Sequence, residues 1–364
     1  MIWSGESRSG RAILTEFRQN GIRAGRTTIW IRADANEEIA SGHLARMLSV
    51  AGELQKLGAR VRFVLADEES LSWLRKLTGR GKTDWSCGYE VSVLGIPYGH
   101  PDEELRPLAE LAGTECPDWI LVDSYAVHAG WFAAVRNALP AEIRLAFLDD
   151  ERAFDPGTDL VINYDPDARK LAPFYRSCSG KLLGPLYAPL REQFQGLIPC
   201  VRPEVEKILI STGGTDPFHL AEDLKALAEE SLHKTAVLAP GYPRVEQVAE
   251  LFLTCDLAIS AAGTTLYELC AAGVPTLCFA MADNQVLFAR QMEKAGAVTY
   301  LGDVREESVR KALPRRVREW ILEQKNLRLR QQESAKMHAL TDGCGSRRIA
   351  EAMTTSYERE ASGR

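Results

Sequence analysis

Residues 27–58, TTIWIRADANEEIASGHLARMLSVAGELQKLG, contain the pattern that decides the fold. The apolar run 27–32 predicts a buried β-strand, the polar stretch 33–42 predicts a loop, and the periodic run ending at Gly58 predicts an amphipathic helix. A second β-type run, 61–65, follows almost at once. Strand, helix and strand in this order predict a right-handed βαβ unit in a parallel sheet.

The rest of the chain repeats this alternation. Buried runs at 119–122 and 145–148 end in carboxylates, at Asp123 and at Asp149 and Asp150, which indicates a cleft at the strand ends. The proline-rich stretch 183–205 predicts a domain junction. Beyond it, strands are predicted at 207–211, 235–238, 257–260, 276–279 and 298–301, with helices at 219–230, 244–253, 265–272 and 285–295.

Length and pattern together predict an α/β protein with two doubly wound, Rossmann-like domains, because 364 residues exceed one ordinary core. The expected division is a poorly ordered lead-in (1–26), an N-terminal domain (27–190), a C-terminal domain (191–313) and a helical tail (314–364). Within the tail, 314–340 reads as one charged amphipathic helix, and 357–364 is expected to fray.

Composition excludes several functional classes. A net charge of −6 and a pI near 5.7 give no general attraction to nucleic acid or anionic membranes. The eight cysteines show no zinc-binding spacing, and no run is apolar enough to span a bilayer. We therefore expect a cytoplasmic protein with reduced thiols, a small-molecule pocket and neither metal nor cofactor.

Three loops of the C-terminal half follow strands and offer anion- or sugar-binding groups. In ISTGGTDPFHL, residues 210–220, backbone N–H groups of Gly213 and Gly214 and the hydroxyl of Thr215 lie before a helix. The alternative is a plain tight turn with a helix cap. In MADNQ, the side chains of Asp283, Asn284 and Gln285 either orient sugar hydroxyls or cap the next helix.

The loop in ISAAGTTLYELCAAGVP, residues 259–275, is more informative. Gly263 permits close backbone approach, and Thr264 and Thr265 add hydroxyl donors beside a helix N-terminus, as a diphosphate requires. Glu268, one turn into the helix, is placed to accept hydrogen bonds from a ribose diol. Its alternative role is to stabilise the helix dipole.

The N-terminal half offers a candidate base. Gly42 and His43 begin the first helix at the carboxyl end of a strand, and Arg46 follows one turn later. A histidine there suits a general base, although histidines more often cap helices or pack in cores. Asp34 either orients His43 or caps the loop. Asp123 and Tyr125 lie at the end of another strand, where they either line the cleft or form a turn. The other histidines are interpreted as surface or capping residues.

Seven stretches together resemble one family in the same order: RADANEEIASGHLARML, LVDSY, FLDDERAF, GPLYAPLREQF, STGGTDP, ISAAGTTLYELCAAGVP and ADNQ. They resemble the UDP-2,4-diacetamido-2,4,6-trideoxy-β-L-altropyranose hydrolases of pseudaminic acid biosynthesis and the related spore coat polysaccharide proteins. The chain is more distantly similar to MurG-type glycosyltransferases, which implies the GT-B fold of two facing Rossmann-like domains. The resemblance covers residues 28–301.

The resemblance implies metal-independent release of UDP and free sugar, with His43 as the base that activates water. It implies that residues 263–265 hold the diphosphate, that Glu268 binds the ribose, and that Asn284 with Asp283 and Gln285 faces the sugar. Two rival functions stay open: a GT-B glycosyltransferase that deprotonates an acceptor hydroxyl, and a non-catalytic sugar-nucleotide binder.

The chain departs from the family pattern in three places. The residues Ala40, Ser41 and Gly42 stand where the family has G-x-G before its histidine, and Met47 replaces a common cysteine. The stretch between residues 237 and 256 is about one strand-and-helix unit short, which leaves three explanations open: a thinner C-terminal sheet, an altered uracil pocket or an error in the gene model. A lead-in precedes the first strand, where the family begins almost immediately.

Overall fold

A computed structural model of the chain describes residues 26–79, 89–214, 216–230, 234–243 and 245–362. The predicted lead-in, apart from Arg26, and the candidate Thr215 lie outside these residues.

The first half forms a seven-stranded parallel sheet in the order β3-β2-β1-β4-β5-β6-β7. Its strands are β1 (Thr28–Ala33), β2 (Arg60–Leu65), β3 (Glu90–Val93), β4 (Trp119–Asp123), β5 (Arg144–Leu148), β6 (Leu160–Asn163) and β7 (Gly180–Leu183). Its helices are α1 (Gly42–Lys56), α2 (Glu68–Leu77), α3 (Leu105–Glu115) and α4 (Ala129–Ala138). The βαβ unit predicted from residues 27–65 is confirmed, with β1 paired in parallel to β2.

The second half forms a five-stranded parallel sheet in the order β12-β11-β10-β8-β9. Its strands are β8 (Lys207–Ser211), β9 (Lys234–Leu238), β10 (Leu257–Ala261), β11 (Thr276–Ala280) and β12 (Thr299–Asp303). Its helices are α5 (Leu220–Glu230), α6 (Val248–Leu253), α7 (Thr265–Ala272) and α8 (Asp283–Lys294). The prediction of an α/β chain with two doubly wound sheets is confirmed.

The second sheet ends at β9, which pairs with β8 on one side. Between β9 and β10 the chain carries a single helix of six residues, α6. This short connection agrees with the expectation of a thinner C-terminal sheet.

The chain ends in three helices, α9 (Glu307–Glu323), α10 (Leu327–Leu340) and α11 (Gly345–Ser362). The prediction of one helix over 314–340 is wrong in two respects. Pro314 lies inside α9, and the helix begins seven residues earlier, at Glu307. The helix also stops at Gln324, and the Asn326 side chain accepts a hydrogen bond from Leu329 N to start α10, so the break has its own cap.

The two ends of the C-terminal tail connect both halves. Helix α10 packs against α7 in the second half, and α11 packs back against α1 in the first. One close approach is at Gly345, where an added Cβ would lie 2.0 Å from the carbonyl oxygen of Ala188. The tail therefore braces the two sheets against each other.

Three strands were not predicted from the sequence: the short buried strand β6 and two edge strands. β3 and β7 have four residues each and lie at the two edges of the first sheet, half-buried or exposed. A short edge strand lacks the continuous apolar run of a central strand such as β4, whose five residues are all buried. For this reason the sequence around residues 180–183 predicts an irregular segment and not a strand.

Candidate active site

A cavity of about 440 Å³ lies between the carboxyl ends of the two sheets. Its first wall comes from the segments that follow β1, β4, β5 and β6, and its second wall from those that follow β10 and β11. Because both sheets are parallel, all these loops leave their strands at the same edge, where ligands of such folds bind. The lining residues are Ile39, Gly42, His43, Arg46, Tyr125, Asp150, Glu151, Arg152, Tyr164, Asp165, Ala262, Gly263, Thr264, Tyr267, Asp283, Asn284, Gln285, Leu287, Phe288 and Gln291.

His43 lies in the first wall and is held by Asp123. The His43 Nδ1 atom is 2.6 Å from Asp123 Oδ1, and only 3% of the histidine is exposed. The Tyr125 ring packs edge-on against the imidazole with 4.3 Å between centroids. His43, near the start of α1, and Asp123, at the end of β4, thus form a buried pair that fixes the orientation of the imidazole ring.

Arg46, one turn after His43, ties the same carboxylate to two further groups. Its Nε donates to Asp123 Oδ2 at 2.6 Å, and its Nη1 donates to Asp150 Oδ2 at 2.5 Å and to the Tyr164 hydroxyl at 2.7 Å. Burial alone would raise the pKa of Asp123, but the charges of Arg46 and His43 hold that pKa well below its usual range. Asp123 is therefore ionised at neutral pH.

Three helix N-termini open onto the cavity without a side-chain cap. Helix α1 begins at Gly42, α7 follows Thr264 and α8 follows Ala282, and none of these starts has a capping side-chain hydrogen bond. In contrast, Asp67 caps α2 and His128 caps α4. The N–H groups of Leu266 and Tyr267 in α7 and of Gln285 in α8 already donate to backbone carbonyl oxygens. The positive ends of the three helix dipoles still face the cavity from both walls and favour an anion there.

The lining is acidic apart from these N-termini. It contains four carboxylates, Asp150, Glu151, Asp165 and Asp283, against the guanidinium groups of Arg46 and Arg152. Burial raises the pKa of Asp165 to about 6, although its partner Arg152 opposes the shift. An anionic ligand here must therefore rely on backbone N–H groups and hydroxyls more than on net charge.

Two hydrogen bonds join the walls. The Tyr267 hydroxyl on α7 donates to the carbonyl oxygen of Tyr164 at 2.7 Å, and Gln291 on α8 donates to Asp167 at 3.0 Å. Asp167 also accepts from Arg152. These bonds fix the spacing of the walls, since they cross from one half of the chain to the other.

Eight of the predicted site residues line the cavity. They are Gly42, His43, Arg46, Gly263, Thr264, Asp283, Asn284 and Gln285. The Gln285 side chain accepts a hydrogen bond from Met281 N, so it also braces its own loop. The Asp283 carboxylate pairs with Arg305 at 2.7 Å.

The expectation that Asp34 orients His43 is wrong. Asp34 is completely buried, where it accepts a hydrogen bond from Ala66 N at 2.8 Å and pairs with Arg32, which in turn pairs with Glu104. It ties the end of β1 to the end of β2 and is absent from the cavity lining. Asp123 on β4 takes the orienting role, because β4 is the other neighbour of β1 in the sheet.

The other predicted contacts lie outside the cavity lining. Gly213 and Gly214 precede α5, whose first N–H groups, those of Leu220 and Ala221, already donate to the Asp216 carboxylate. An anion at that helix end would meet this negative charge. The neighbouring Thr212 hydroxyl is buried and has no hydrogen-bond partner among the described residues.

Thr265 and Glu268 are also absent from the lining, although they share α7 with Thr264. Glu268 Oε1 accepts two hydrogen bonds from Arg191, at 2.9 and 2.7 Å. Burial raises the pKa of Glu268, and Arg191 opposes that rise. Thr215 lies outside the described residues.

Sequence reasoning missed part of the first wall. Asp150, Glu151 and Arg152 follow β5, and Tyr164 and Asp165 follow β6. The sequence shows the carboxylates at the end of β5, but no local pattern connects them to Arg46. Arg152 adopts a left-handed backbone (φ 60°) whose N–H is held by Asp149, a conformation that only the folded loop shows.

No family model matches the chain. Among curated proteins, the chain is 25% identical over 241 residues to the pseudaminic acid cytidylyltransferase and UDP-2,4-diacetamido-2,4,6-trideoxy-β-L-altropyranose hydrolase of Helicobacter pylori, covering 63% of this chain and 43% of that protein. It is 28% identical over 145 residues to the spore coat polysaccharide biosynthesis protein SpsG of Bacillus subtilis, covering 33% of this chain and 41% of that protein. The chain thus spans about half or less of the length of these relatives.

Solved structures share the fold. The calicheamicin glycosyltransferase CalG4 aligns with a TM-score of 0.61 at 16% identity, covering 93% of this chain and 100% of that one. MurG of Acinetobacter baumannii aligns with a TM-score of 0.61 at 14% identity, covering 90% and 99%. The fold is therefore of the GT-B type, and the predicted resemblance to both groups is confirmed.

Within the described ranges, no helix is long and apolar enough to cross a membrane.

Proposed function

We propose that the chain is a sugar-nucleotide-processing enzyme, and that it hydrolyses the glycosyl–phosphate bond of a UDP-linked amino or deoxy sugar to UDP and free sugar. One observation carries the proposal. The His43–Asp123 pair, 2.6 Å apart, lies in one wall of a cavity whose other wall holds the uncapped N-terminus of α7. A base and an anion site thus share one space.

The chemistry at the first wall follows from the ionised Asp123. Its carboxylate accepts the Nδ1 proton of His43, which leaves the Nε2 lone pair free to take a proton from water. Water oxygen then bonds to the anomeric carbon while its proton passes to Nε2. The bond from that carbon to the phosphate oxygen breaks, and its electron pair leaves with UDP.

The surroundings of His43 favour this proton transfer. One guanidinium, that of Arg46, and two carboxylates, those of Asp123 and Asp150, give the cluster a net charge of −1 while His43 is neutral. The proton that His43 takes from water therefore enters a cluster that carries a negative charge. Arg46 is a positioning residue in this scheme, since it anchors the carboxylate that orients the base.

The second wall supports a diphosphate. Gly263 has open space where a Cβ would stand, so a ligand can approach its backbone closely. The Thr264 hydroxyl and the positive end of the α7 dipole would hold the phosphate oxygens and stabilise the charge that develops on the leaving UDP. Asn284 and the start of α8 would face the sugar.

A glycosyltransferase is the second candidate, because solved structures of glycosyltransferases share the fold along about nine-tenths of the chain. The same base would then deprotonate an acceptor hydroxyl in place of water. The Helicobacter pylori relative favours hydrolysis, since its name includes a UDP-sugar hydrolase.

The test follows UDP release from a panel of UDP-sugars without an acceptor, with His43→Ala as the active-site variant and His100→Ala, at an exposed histidine, as the matched control. Hydrolysis predicts release by the wild-type chain and by His100→Ala, and loss in His43→Ala by about 10²–10⁴-fold. Release only after an acceptor is added would replace hydrolysis with transfer. Binding of UDP without any turnover would refute both enzymatic functions and leave a sugar-nucleotide binder.

A further inference from the structure

The proposed base is nearly closed off from the cavity that it serves. Only 3% of His43 is exposed, although the residue belongs to the cavity lining. Its Nδ1 atom lies 2.6 Å from Asp123 Oδ1, so a nucleophile has to reach the other ring nitrogen, Nε2. Any molecule that gives its proton to this atom must therefore pass through a narrow opening.

Tyr125 lies at that opening. Its ring packs edge-on against the imidazole with 4.3 Å between centroids, and 39% of the tyrosine is exposed. Because the exposed ring contacts the buried one, Tyr125 lies between much of the imidazole and the cavity. The Tyr125 hydroxyl donates to Asp150 Oδ2 at 3.2 Å, and the same oxygen accepts from Arg46. This hydrogen bond holds the ring over the base.

The residue before the base contributes no such obstacle. Gly42 also lines the cavity, and no atom lies within 4 Å of the position that its Cβ would take. The space beside the start of α1 is therefore open, whereas the contact with the imidazole is made by the bulky ring of Tyr125. Removal of that ring would widen the path to His43.

We propose that Tyr125 is the residue that makes water the acceptor: its ring leaves room for a water molecule at His43 Nε2 and excludes the larger hydroxyl compounds, alcohols and sugars. This inference rests on the proposed function, since it needs a sugar nucleotide whose anomeric carbon faces His43. It extends that function by a specificity-determining residue, which separates a hydrolase from a glycosyltransferase with the same base.

The reaction with an alcohol differs from hydrolysis only in the nucleophile. The alcohol oxygen bonds to the anomeric carbon while its proton passes to His43 Nε2. The bond from that carbon to the phosphate oxygen breaks, and its electron pair leaves with UDP, so the products are UDP and an alkyl glycoside. The ratio of glycoside to free sugar thus reports which nucleophile reaches the base, because a general loss of activity lowers both products together.

The experiment supplies the whole chain with the UDP-sugar that it hydrolyses fastest, with and without glycerol, and quantifies UDP, free sugar and glyceryl glycoside by mass spectrometry. Wild type should give free sugar almost exclusively. Tyr125→Ala should raise the ratio of glycoside to free sugar by at least about tenfold, because a closed pocket discriminates between compounds that differ by one small group by about that factor. Tyr125→Phe keeps the ring and should keep the wild-type ratio.

The chain offers a matched control for the loss of a tyrosine. The Tyr242 hydroxyl also donates to a carboxylate, that of Glu222, and Tyr242 is absent from the cavity lining. Tyr242→Ala should therefore give the wild-type ratio. Tyr125→Leu, which also removes the ring, gives the same readout if Tyr125→Ala does not fold.

Two results would overturn the inference while hydrolysis stands: a wild-type chain that forms the glycoside as readily as Tyr125→Ala does, and a folded Tyr125→Ala that forms no glycoside. A ratio in Tyr125→Phe equal to that in Tyr125→Ala would assign the effect to the hydroxyl and overturn the role of the ring. UDP release by wild type only when glycerol is present would replace hydrolysis with transfer and refute the inference. Absence of UDP release from every UDP-sugar would refute the proposed function together with the inference.

Discussion

Replacement of Asp123 by asparagine tests the proposed base without removing it. The carboxylate accepts from Arg46 Nε at Oδ2 and contacts His43 Nδ1 at Oδ1, with Arg46 Nη2 also at Oδ1. An asparagine has one oxygen for these two partners. The charged guanidinium takes the oxygen, because charge-assisted hydrogen bonds are about twice as strong as neutral ones.

The amide nitrogen of the variant would then face His43 Nδ1 and donate to it. That places the ring proton on Nε2, the atom that must accept a proton from water. Restoring the active tautomer sets the amide N–H against the Nδ1 proton and leaves a buried donor unsatisfied, which costs about 1–3 kcal/mol and leaves about one molecule in five to one in a hundred active. The imidazolium also loses its ionised partner, so we expect kcat to fall by about 10²–10³-fold.

Initial rates of UDP release at saturating substrate measure this loss, and UDP affinity by calorimetry provides the control, because UDP is assigned to the opposite wall. Asp123→Asn should bind UDP as wild type does. The double variant Asp123→Asn/His43→Ala should be no slower than His43→Ala alone, since the two residues act as one unit. A kcat within about threefold of wild type would refute the assignment of Asp123 as the residue that orients His43.

Three further predictions concern the cavity and the junction. Gly263→Val should weaken UDP binding by more than about tenfold, because the added side chain would occupy the space proposed for the diphosphate. The melting temperature should stay unchanged, because the added Cβ meets no other protein atom within 4 Å. An unchanged UDP affinity would refute the assignment of the diphosphate to this loop. Since the pKa of Asp165 is raised to about 6, its ionisation opposes folding above that pH, and stability recovers as pH falls below it. Asp165→Asn should therefore raise the free energy of unfolding at pH 8 by up to about 3 kcal/mol, less whatever its hydrogen bond to Arg152 contributes, by about half as much at pH 5, and by little at about pH 3.5; urea titrations showing an equal effect at the highest and lowest pH would contradict this. Gly345→Ala should lower the free energy of unfolding by more than about 3 kcal/mol, since its Cβ would overlap the Ala188 carbonyl oxygen, and chemical denaturation showing less than about 1 kcal/mol would contradict that overlap.

Local sequence determined the elements and most of the second wall. Apolar runs such as 29–31 become central strands because strands buried on both faces are continuously apolar, and this signal is contained within each segment. Gly263 and Thr264, between a strand and a helix, had to lie at the carboxyl edge of the sheet once the order of elements was known. The short connection between β9 and β10 could likewise be predicted, because the stretch 237–256 has fewer residues than the family pattern requires.

Only the tertiary structure decided which groups meet. Asp34 follows β1 and Asp123 ends β4. The sequence does not show that Asp123 contacts His43 whereas Asp34 pairs with Arg32. Residues 77 positions apart form the Arg191–Glu268 pair, and no local pattern encodes such a contact. Side-chain partners depend on the register and spacing of whole sheets, whereas strands and helices depend on their own few residues, so the sequence determined the scaffold and the folded chain determined the chemistry.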